Sequence, residues 1–303
     1  LRRAPAKDLP ASLLRILAWG SRFYHSAGPF QRILFRPARA FYLWATRRRE
    51  VVVWCGDGYL AVDSADPVAK WLLSGGFERD EREFVASVLR PGDLFVDGGA
   101  HVGAYTVLAA RRVGPQGLVM AFEPEPENRR RLRRSIEANG LANVVVSDLA
   151  LSDGEGVAAL AHDGGNSGGH SLVAETIVQP DGSMAVRTTT LDGFLAGHLP
   201  EHRAARIVMK LDLQGLEARA LAGARETLRR SAAVVVELTP RFLDLAGDDS
   251  NALVESLLEA GFQLESIPQS GGPRVRVERA DIAPLVAALR ASGDHVDLLG
   301  TRV

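Results

Sequence analysis

The spacing of hydrophobic and polar positions changes period along the chain. Residues 8–19 carry an apolar stripe of Leu13, Leu14, Ile16, Leu17 and Trp19 at helical spacing, with Asp8 placed to cap and Pro10 suited to a first turn. A second helical stretch, basic and aromatic-bearing, is expected over 30–49, interrupted near Pro37 and closed by Arg47-Arg48-Arg49. Strand-like runs at 51–54 and 59–62 flank a Gly56-Asp57-Gly58 turn and predict a β-hairpin. A helix follows over about 80–89 and stops at Pro91-Gly92.

From residue 94 short apolar runs alternate with longer amphipathic ones. The pattern predicts strands at 94–96, 118–122, 144–151, 207–211 and 233–238. Helices are expected at 104–113, 125–139 (Arg-rich on one face, closed by Gly140) and about 216–230, with two further strands at 262–267 and 296–301. Such alternation implies an α/β fold with a mostly parallel sheet and helices on both faces. Three parts are expected: a basic helical extension (1–50), a hairpin and helix leading into the core (51–90), and a ligand-binding domain (91–303). The Gly-rich run 162–170 reads as a loop inside a 154–190 insertion, where contacts to a second substrate are expected.

Charge and composition change this picture little. The chain has 303 residues, is 46% hydrophobic and 24% charged, and carries a net charge of −1. These values fit a globular protein and argue against whole-molecule nucleic-acid binding. The first 50 residues, however, hold about 11 Lys/Arg against about 2 acids. That basic head is either a solvated subdomain or a peripheral contact with an anionic membrane. The Arg129–Arg134 helix face reads as solvated. No run approaches a transmembrane helix, no clean secretory leader is visible, and the lone Cys55 fits a reducing compartment, so a cytoplasmic location is expected. The chain opens on Leu1 rather than Met, which leaves room for residues upstream.

The chemistry concentrates after the strand at 94–96. Asp97-Gly98-Gly99-Ala100-His101-Val102-Gly103 follows a strand and opens a helix, as a nucleotide-type loop does. Glycines let a ligand approach the main chain, and the helix N-terminus offers free N–H groups. A nicotinamide loop would carry Gly where Asp97 stands, whereas an acid suits a ligand with an ammonium. Glu123, at the end of the next strand and followed by Pro124, can accept from both ribose hydroxyls. Together the two acids point to S-adenosylmethionine as cofactor. The adenine is expected over the end of the third strand, near Ala150, Leu151 and Asp153.

The text here resembles the FkbM-type methyltransferases over roughly residues 75–240. The likeness rests on Gly76-Phe77-Glu78, Arg90-Pro91-Gly92-Asp93, Phe95-Val96-Asp97-Gly98-Gly99-Ala100, Ala121-Phe122-Glu123-Pro124 and Glu137-Ala138-Asn139-Gly140. It continues through Ala150-Leu151-Ser152-Asp153, Asn166-Ser167-Gly168-Gly169-His170-Ser171-Leu172, Thr190-Leu191-Asp192, Lys210-Leu211-Asp212-Leu213-Gln214-Gly215 and Gly223-Ala224. The resemblance implies a Rossmann-like class I fold with one antiparallel strand near the C-terminus. It also implies O-methyl transfer, commonly to hydroxyls of sugars, glycans or secondary metabolites. Two departures stand out: Gln214 replaces the family's usual Glu, and His101 a frequent Asn.

Lys210, Asp212 and Glu237 end the fourth and fifth strands and are expected to face the reacting methyl group. Asp212 and His170 are the candidate bases for an alcohol acceptor, and Glu237 a ligand for a substrate hydroxyl. Each has a structural alternative: an Asp212–Lys210 ion pair, a loop-packing His170, a Glu237 that only accepts nearby N–H groups. His162, His198, His202 and His295 read as surface residues, and no metal-ligand spacing is evident. A non-catalytic protein that keeps the fold, or a nicotinamide-dependent oxidoreductase, remains the alternative.

Overall fold

The structure, a computed structural model, describes residues 50–302 apart from 65, 75–76, 199–205 and 269–272. The helices expected within 1–49 and His202 lie outside the described residues. The expected hairpin is present: Glu50–Trp54 (β1) pairs antiparallel with Tyr59–Asp63 (β2). Pro67–Ser74 (α1) was not expected; Asp66 accepts from the backbone N–H of Val68 at 2.8 Å and starts it. Arg79–Val88 (α2) follows close to its expected bounds.

The core alternates as expected: Leu94–Gly98 (β3), Ala104–Val113 (α3), Leu118–Phe122 (β4), Pro126–Ala138 (α4) and Val144–Ser147 (β5). An insertion forms a separate three-stranded sheet from Ala150–Leu151 (β6), Gly156–Asp163 (β7) and Pro180–Thr189 (β8). The chain returns through Leu191–His198 (α5), Ile207–Leu211 (β9), Glu217–Ala222 (α6), Arg225–Arg230 (α7) and Ser231–Leu238 (β10). Pro240–Ala246 (α8), Ser250–Glu259 (α9), Gln263–Pro268 (β11), Val275–Val277 (β12), Ile282–Ser292 (α10) and Val296–Thr301 (β13) complete it.

The main sheet runs β12-β11-β13-β10-β9-β3-β4-β5. Strands β5, β4, β3, β9 and β10 are mutually parallel, and β13 inserts antiparallel between β10 and β11. Successive side chains of a strand point to opposite faces, so each apolar strand feeds two cores. Leu94 and Val96 join Met120, Met209, Leu211, Val234 and Val236 beneath α9 and α10. Phe95 joins Val119, Val208 and Val235 beneath α2 and α3. Full burial on both faces explains why these strands read as continuous apolar runs.

Three expectations need correction. The strand expected at 144–151 breaks after Ser147; the Ser147 hydroxyl accepts from the Leu149 N–H at 3.2 Å and turns the chain into β6. The helix expected at 216–230 splits at Gly223-Ala224. A Cβ on Gly223 would lie 2.1 Å from the Ser152 carbonyl oxygen, and the Asp192 carboxylate caps α7 by accepting from the Glu226 and Thr227 N–H groups, each at 2.8 Å. The Arg-rich face of α4 is also not simply solvated. Arg130, Arg131 and Arg134 converge on Glu50, and Asn139 and Ser135 bond the backbone of β2 at Tyr59 and Ala61. That face clamps the hairpin to the core. Among the described residues no helix is long and apolar enough to cross a membrane.

Candidate active site

The order of the sheet reverses at β3, whose neighbours β4 and β9 continue in opposite directions. Ligands on such sheets sit outside the carboxyl ends at that point. A cleft of about 640 Å³ opens there, lined by Gly99, Ala100 and His101 after β3 and by Glu123 and Pro124 after β4. Ala150 and Leu151 line it too, as do Lys210, Asp212 and Gln214 after β9, and Glu237 on β10.

The β3 loop approaches its neighbour without room for a side chain. Gly99 has φ 76°, and a Cβ there would lie 2.0 Å from the Asp212 carbonyl oxygen. Glu123 faces the loop and accepts from the His101 N–H at 2.7 Å and the Glu125 N–H at 2.9 Å. Burial pushes its carboxyl up to about 7 despite these bonds. Each of its oxygens keeps a lone pair for a further donor.

Three non-glycine residues among those described have positive φ: Glu78 (41°), His101 (50°) and Gln214 (52°). All three line this cleft. Such strain gathers at functional sites, where the surroundings hold it in place. His, like Asn and Asp, enters this backbone region more readily than most residues with a side chain. The His101 imidazole is pulled down to about 4 by burial, so it stays neutral, and its Nε2 meets the Ser167 hydroxyl at 2.7 Å. Ser167 also accepts at its carbonyl from Asn128 Nδ2 (2.8 Å), while the Ser171 hydroxyl donates to the Gln214 carbonyl (2.7 Å). The Gly-rich loop is thereby tied to both ends of the cleft.

Some expected residues sit elsewhere. Asp97 is 1% exposed and lies beneath the cleft rather than lining it. Its Oδ2 accepts from the Thr106 hydroxyl at 2.5 Å, and its register partner on β9 is Lys210. Its Oδ1 is buried without a hydrogen-bond partner among the described residues, so one oxygen of the carboxylate is still unspent. Gly98 and Gly103 pack inward against Leu211 and Leu132 and do not line the cleft either. Asp153 is exposed, outside the cleft, and within 3.1 Å of the Ser152 hydroxyl, so it does not face an adenine site there.

The far end of the cleft is a carboxyl network. Lys210 Nζ donates to Asp212 Oδ2 at 2.9 Å and lies 4.6 Å from the Tyr105 ring centroid. Burial pulls this ammonium down, but the carboxylates of Asp212, Glu78 and Asp97 outweigh it and hold it charged. Burial likewise raises Asp212, and Lys210 more than offsets it, leaving Asp212 low and a weak base. Gln214 Nε2 donates to Asp212 Oδ1 at 2.9 Å and to Glu237 Oε2 at 3.3 Å. Gln214 is thus an amide donor between two acids.

His170 lines the cleft, but its Nδ1 accepts from the Asp163 N–H at 3.0 Å. In the neutral ring the proton must then sit on Nε2, so neither nitrogen is free to take another. This corrects its candidacy as a base. His295 is not a surface residue: it lines the cleft with Nε2 at 3.5 Å from Glu237 Oε1. His162 is half-buried against His170, whereas His198 is exposed as expected. Sequence reasoning missed Glu78, Tyr105, Glu217, Thr239 and Asp297. Only the Gly76-Phe77-Glu78 motif offered a signal; the rest depend on strand register and packing. Asp212, Glu217 and Glu237 each bring an oxygen within 4.8 Å of the others. Lys210, Gln214 and the Leu213 and Gly215 N–H groups already donate into that set.

This sheet order is that of the Rossmann-like class I methyltransferase fold. The family model for the methyltransferase FkbM domain matches residues 97–264, and the chain belongs to that family. A relative described as Methyltransferase 1, from Beauveria bassiana, is 29% identical over 212 residues, covering 64% of this chain and 78% of its own. Among solved structures, Methyltransferase FkbM from Methylobacillus flagellatus is 15% identical with a TM-score of 0.40, covering 89% of this chain and 60% of that one. Precorrin-6y C5,15-methyltransferase from Geobacter metallireducens is 13% identical with a TM-score of 0.40, covering 74% and 89%.

Proposed function

We propose that this methyltransferase takes S-adenosylmethionine as methyl donor and transfers the methyl group to a hydroxyl of a sugar, glycan or secondary metabolite. The observation that carries the reading is one cleft with two chemically distinct ends, a Gly99/Glu123 end and a carboxyl network around Glu237. Gly99 leaves the main chain open to a flat ligand, and Glu123 keeps lone pairs for two vicinal ribose hydroxyls. Asn128 Oδ1 lines the same end, is buried and has no hydrogen-bond partner among the described residues, so it too fits a polar ligand.

The bound cofactor supplies an electrophilic methyl group on a sulfonium. The protein's part is to align the acceptor oxygen with it and to receive the hydroxyl proton. Asp212 is held ionised by Lys210 and suits positioning; Glu237, raised by burial and neighbouring carboxylates, suits proton uptake. Lys210 keeps the network charged. His170, with Nδ1 engaged, contributes a donor at Nε2.

The test uses S-adenosylmethionine tritiated in the methyl group and a panel of sugar, polyol and amine acceptors. Label in an ether linkage is expected, with Glu237→Gln slowing transfer about 10²–10⁴-fold and His170→Ala less than tenfold. Label on nitrogen, or full rate in Glu237→Gln, would contradict the proposal.

A further inference from the structure

Glu237 and Asp297 are direct register partners across the antiparallel β10–β13 pair, and both line the cleft. Side chains directly opposite in such a pair stand on one face with Cβ atoms roughly 4.5–5.5 Å apart. The register thereby sets both acidic residues on one face at the acceptor end of the cleft. We propose that Glu237 and Asp297 act as a cross-strand pair that holds one proton between them, with Asp297 as the positioning residue that keeps Glu237 ready to receive the acceptor's hydroxyl proton. This rests on the hydroxyl-acceptor reading above.

The surroundings supply acids and little counter-charge. Around Glu237 stand Asp212 and Glu217, Gln214 Nε2 at 3.3 Å and His295 Nε2 at 3.5 Å. Glu81, on α2, is a side-chain hydrogen-bond partner of Asp297, and Glu78 adds a like charge beside it. Lys210 is the buried cation near both, and it is engaged by Asp212 and the Tyr105 ring. His295 is pulled down by burial and stays neutral near pH 7, so it is no counter-ion. Burial and these like charges raise both carboxyls well above their ordinary range. Two adjacent acids that cannot both ionise titrate as a unit, in two steps.

A second feature points to a ligand at the same place. Thr239, two residues past Glu237, is 6% exposed and lines the cleft, and its Oγ1 has no hydrogen-bond partner among the described residues. A hydroxyl acceptor bound against Glu237 would supply that partner.

The step balances. The acceptor oxygen forms a bond to the methyl carbon as the carbon–sulfur bond breaks, its electron pair going to sulfur. The hydroxyl proton goes to the ionised member of the pair. A singly protonated pair becomes doubly protonated while the sulfonium becomes a neutral thioether, and the pair then returns one proton to solvent.

The test is infrared spectroscopy of the full chain, following protonated carboxyl C=O stretches over a pH series without any methyl acceptor. It is independent of cofactor and acceptor identity, so its failure is distinct from failure of the functional proposal. Difference spectra against Asp297→Asn and against Glu237→Gln are expected to show the same band, present at pH 7.5 in the native protein and lost in both variants. The remaining carboxyl should titrate lower by roughly a pH unit or more. Loss in Glu237→Gln alone would overturn the pair. So would loss in Asp297→Asn and Glu81→Gln with Glu237→Gln unaffected, since the proton would then be shared with α2. If Asp297→Asn does not fold, Glu237→Gln with Asp297 labelled by ¹³C at its carboxyl decides the question: a downward shift of Asp297 supports the pair, and no shift overturns it.

Discussion

Lys210→Met is expected to destabilise the fold by about 3–5 kcal/mol, because it removes the cation from a buried set of acids and leaves their charges unpaired. Methionine keeps most of the volume, so packing against Tyr105 survives and the loss reports charge. Lys210 is 4% exposed, bonds Asp212 at 2.9 Å and pairs in register with Asp97 on β3. The pH dependence carries a definite sign. Asp212 is held below its ordinary value of 3.8 in the native protein, so it adds stability above that value that fades as pH falls through its depressed titration. Lys210→Met abolishes that depression. Its deficit should therefore be greatest near neutral pH and shrink below about pH 4, as the acids protonate in both proteins. Urea unfolding at pH 7.5 and at about pH 3 checks this. A deficit under about 1 kcal/mol at pH 7.5, the range of an exposed ion pair, would mean that the lysine is not the counter-charge of the site.

Gly99→Ala is expected to remove ligand binding and to lower stability. The left-handed conformation alone costs a non-glycine residue about 1–3 kcal/mol. The added Cβ would also lie 2.0 Å from the Asp212 carbonyl oxygen, which is backbone and cannot rotate aside. The β3 loop and the β9 turn must therefore separate, and that separation moves both ends of the cleft together. Thermal melting and calorimetry with S-adenosylhomocysteine should show a lower midpoint and at least a tenfold weaker affinity. Gly92→Ala is a matched control, with a similar φ of 88° and nothing within 4 Å of its Cβ. Equal effects at the two positions would mean that backbone strain, not the close approach to β9, accounts for the loss.

What the sequence discloses follows from how locally each feature is encoded. The β3 loop is legible because strand, glycines and helix are contiguous, and Glu123 because it ends the next strand. The doubly buried strands are legible because nothing polar interrupts them. Asp297 is not, since its role depends on facing Glu237 across an antiparallel register that no local pattern specifies. The break between α6 and α7 is equally hidden, because its causes, the Ser152 carbonyl and the Asp192 carboxylate, come from distant segments. The motif that carries Asp97 is plain, but its Lys210 neighbour and its Thr106 hydrogen bond come from register and packing that no local pattern specifies. Gln214 became interpretable only in three dimensions, as the donor that joins Asp212 to Glu237.

Glu123 is proposed to anchor a ribose-bearing methyl donor at the β3–β4 end of the cleft, and calorimetry of S-adenosylhomocysteine binding between pH 5.5 and 8 is the decisive measurement. Burial holds the free Glu123 carboxyl at about 7, and a ribose diol donates best to its ionised form. His101, at about 4, stays neutral across this range. Affinity should thus rise up to about tenfold per pH unit until pH 7 and then level off, with Glu123→Gln binding at least tenfold more weakly and without that slope. Native-strength, equally pH-dependent binding by Glu123→Gln, or no binding by the native protein, would contradict the account.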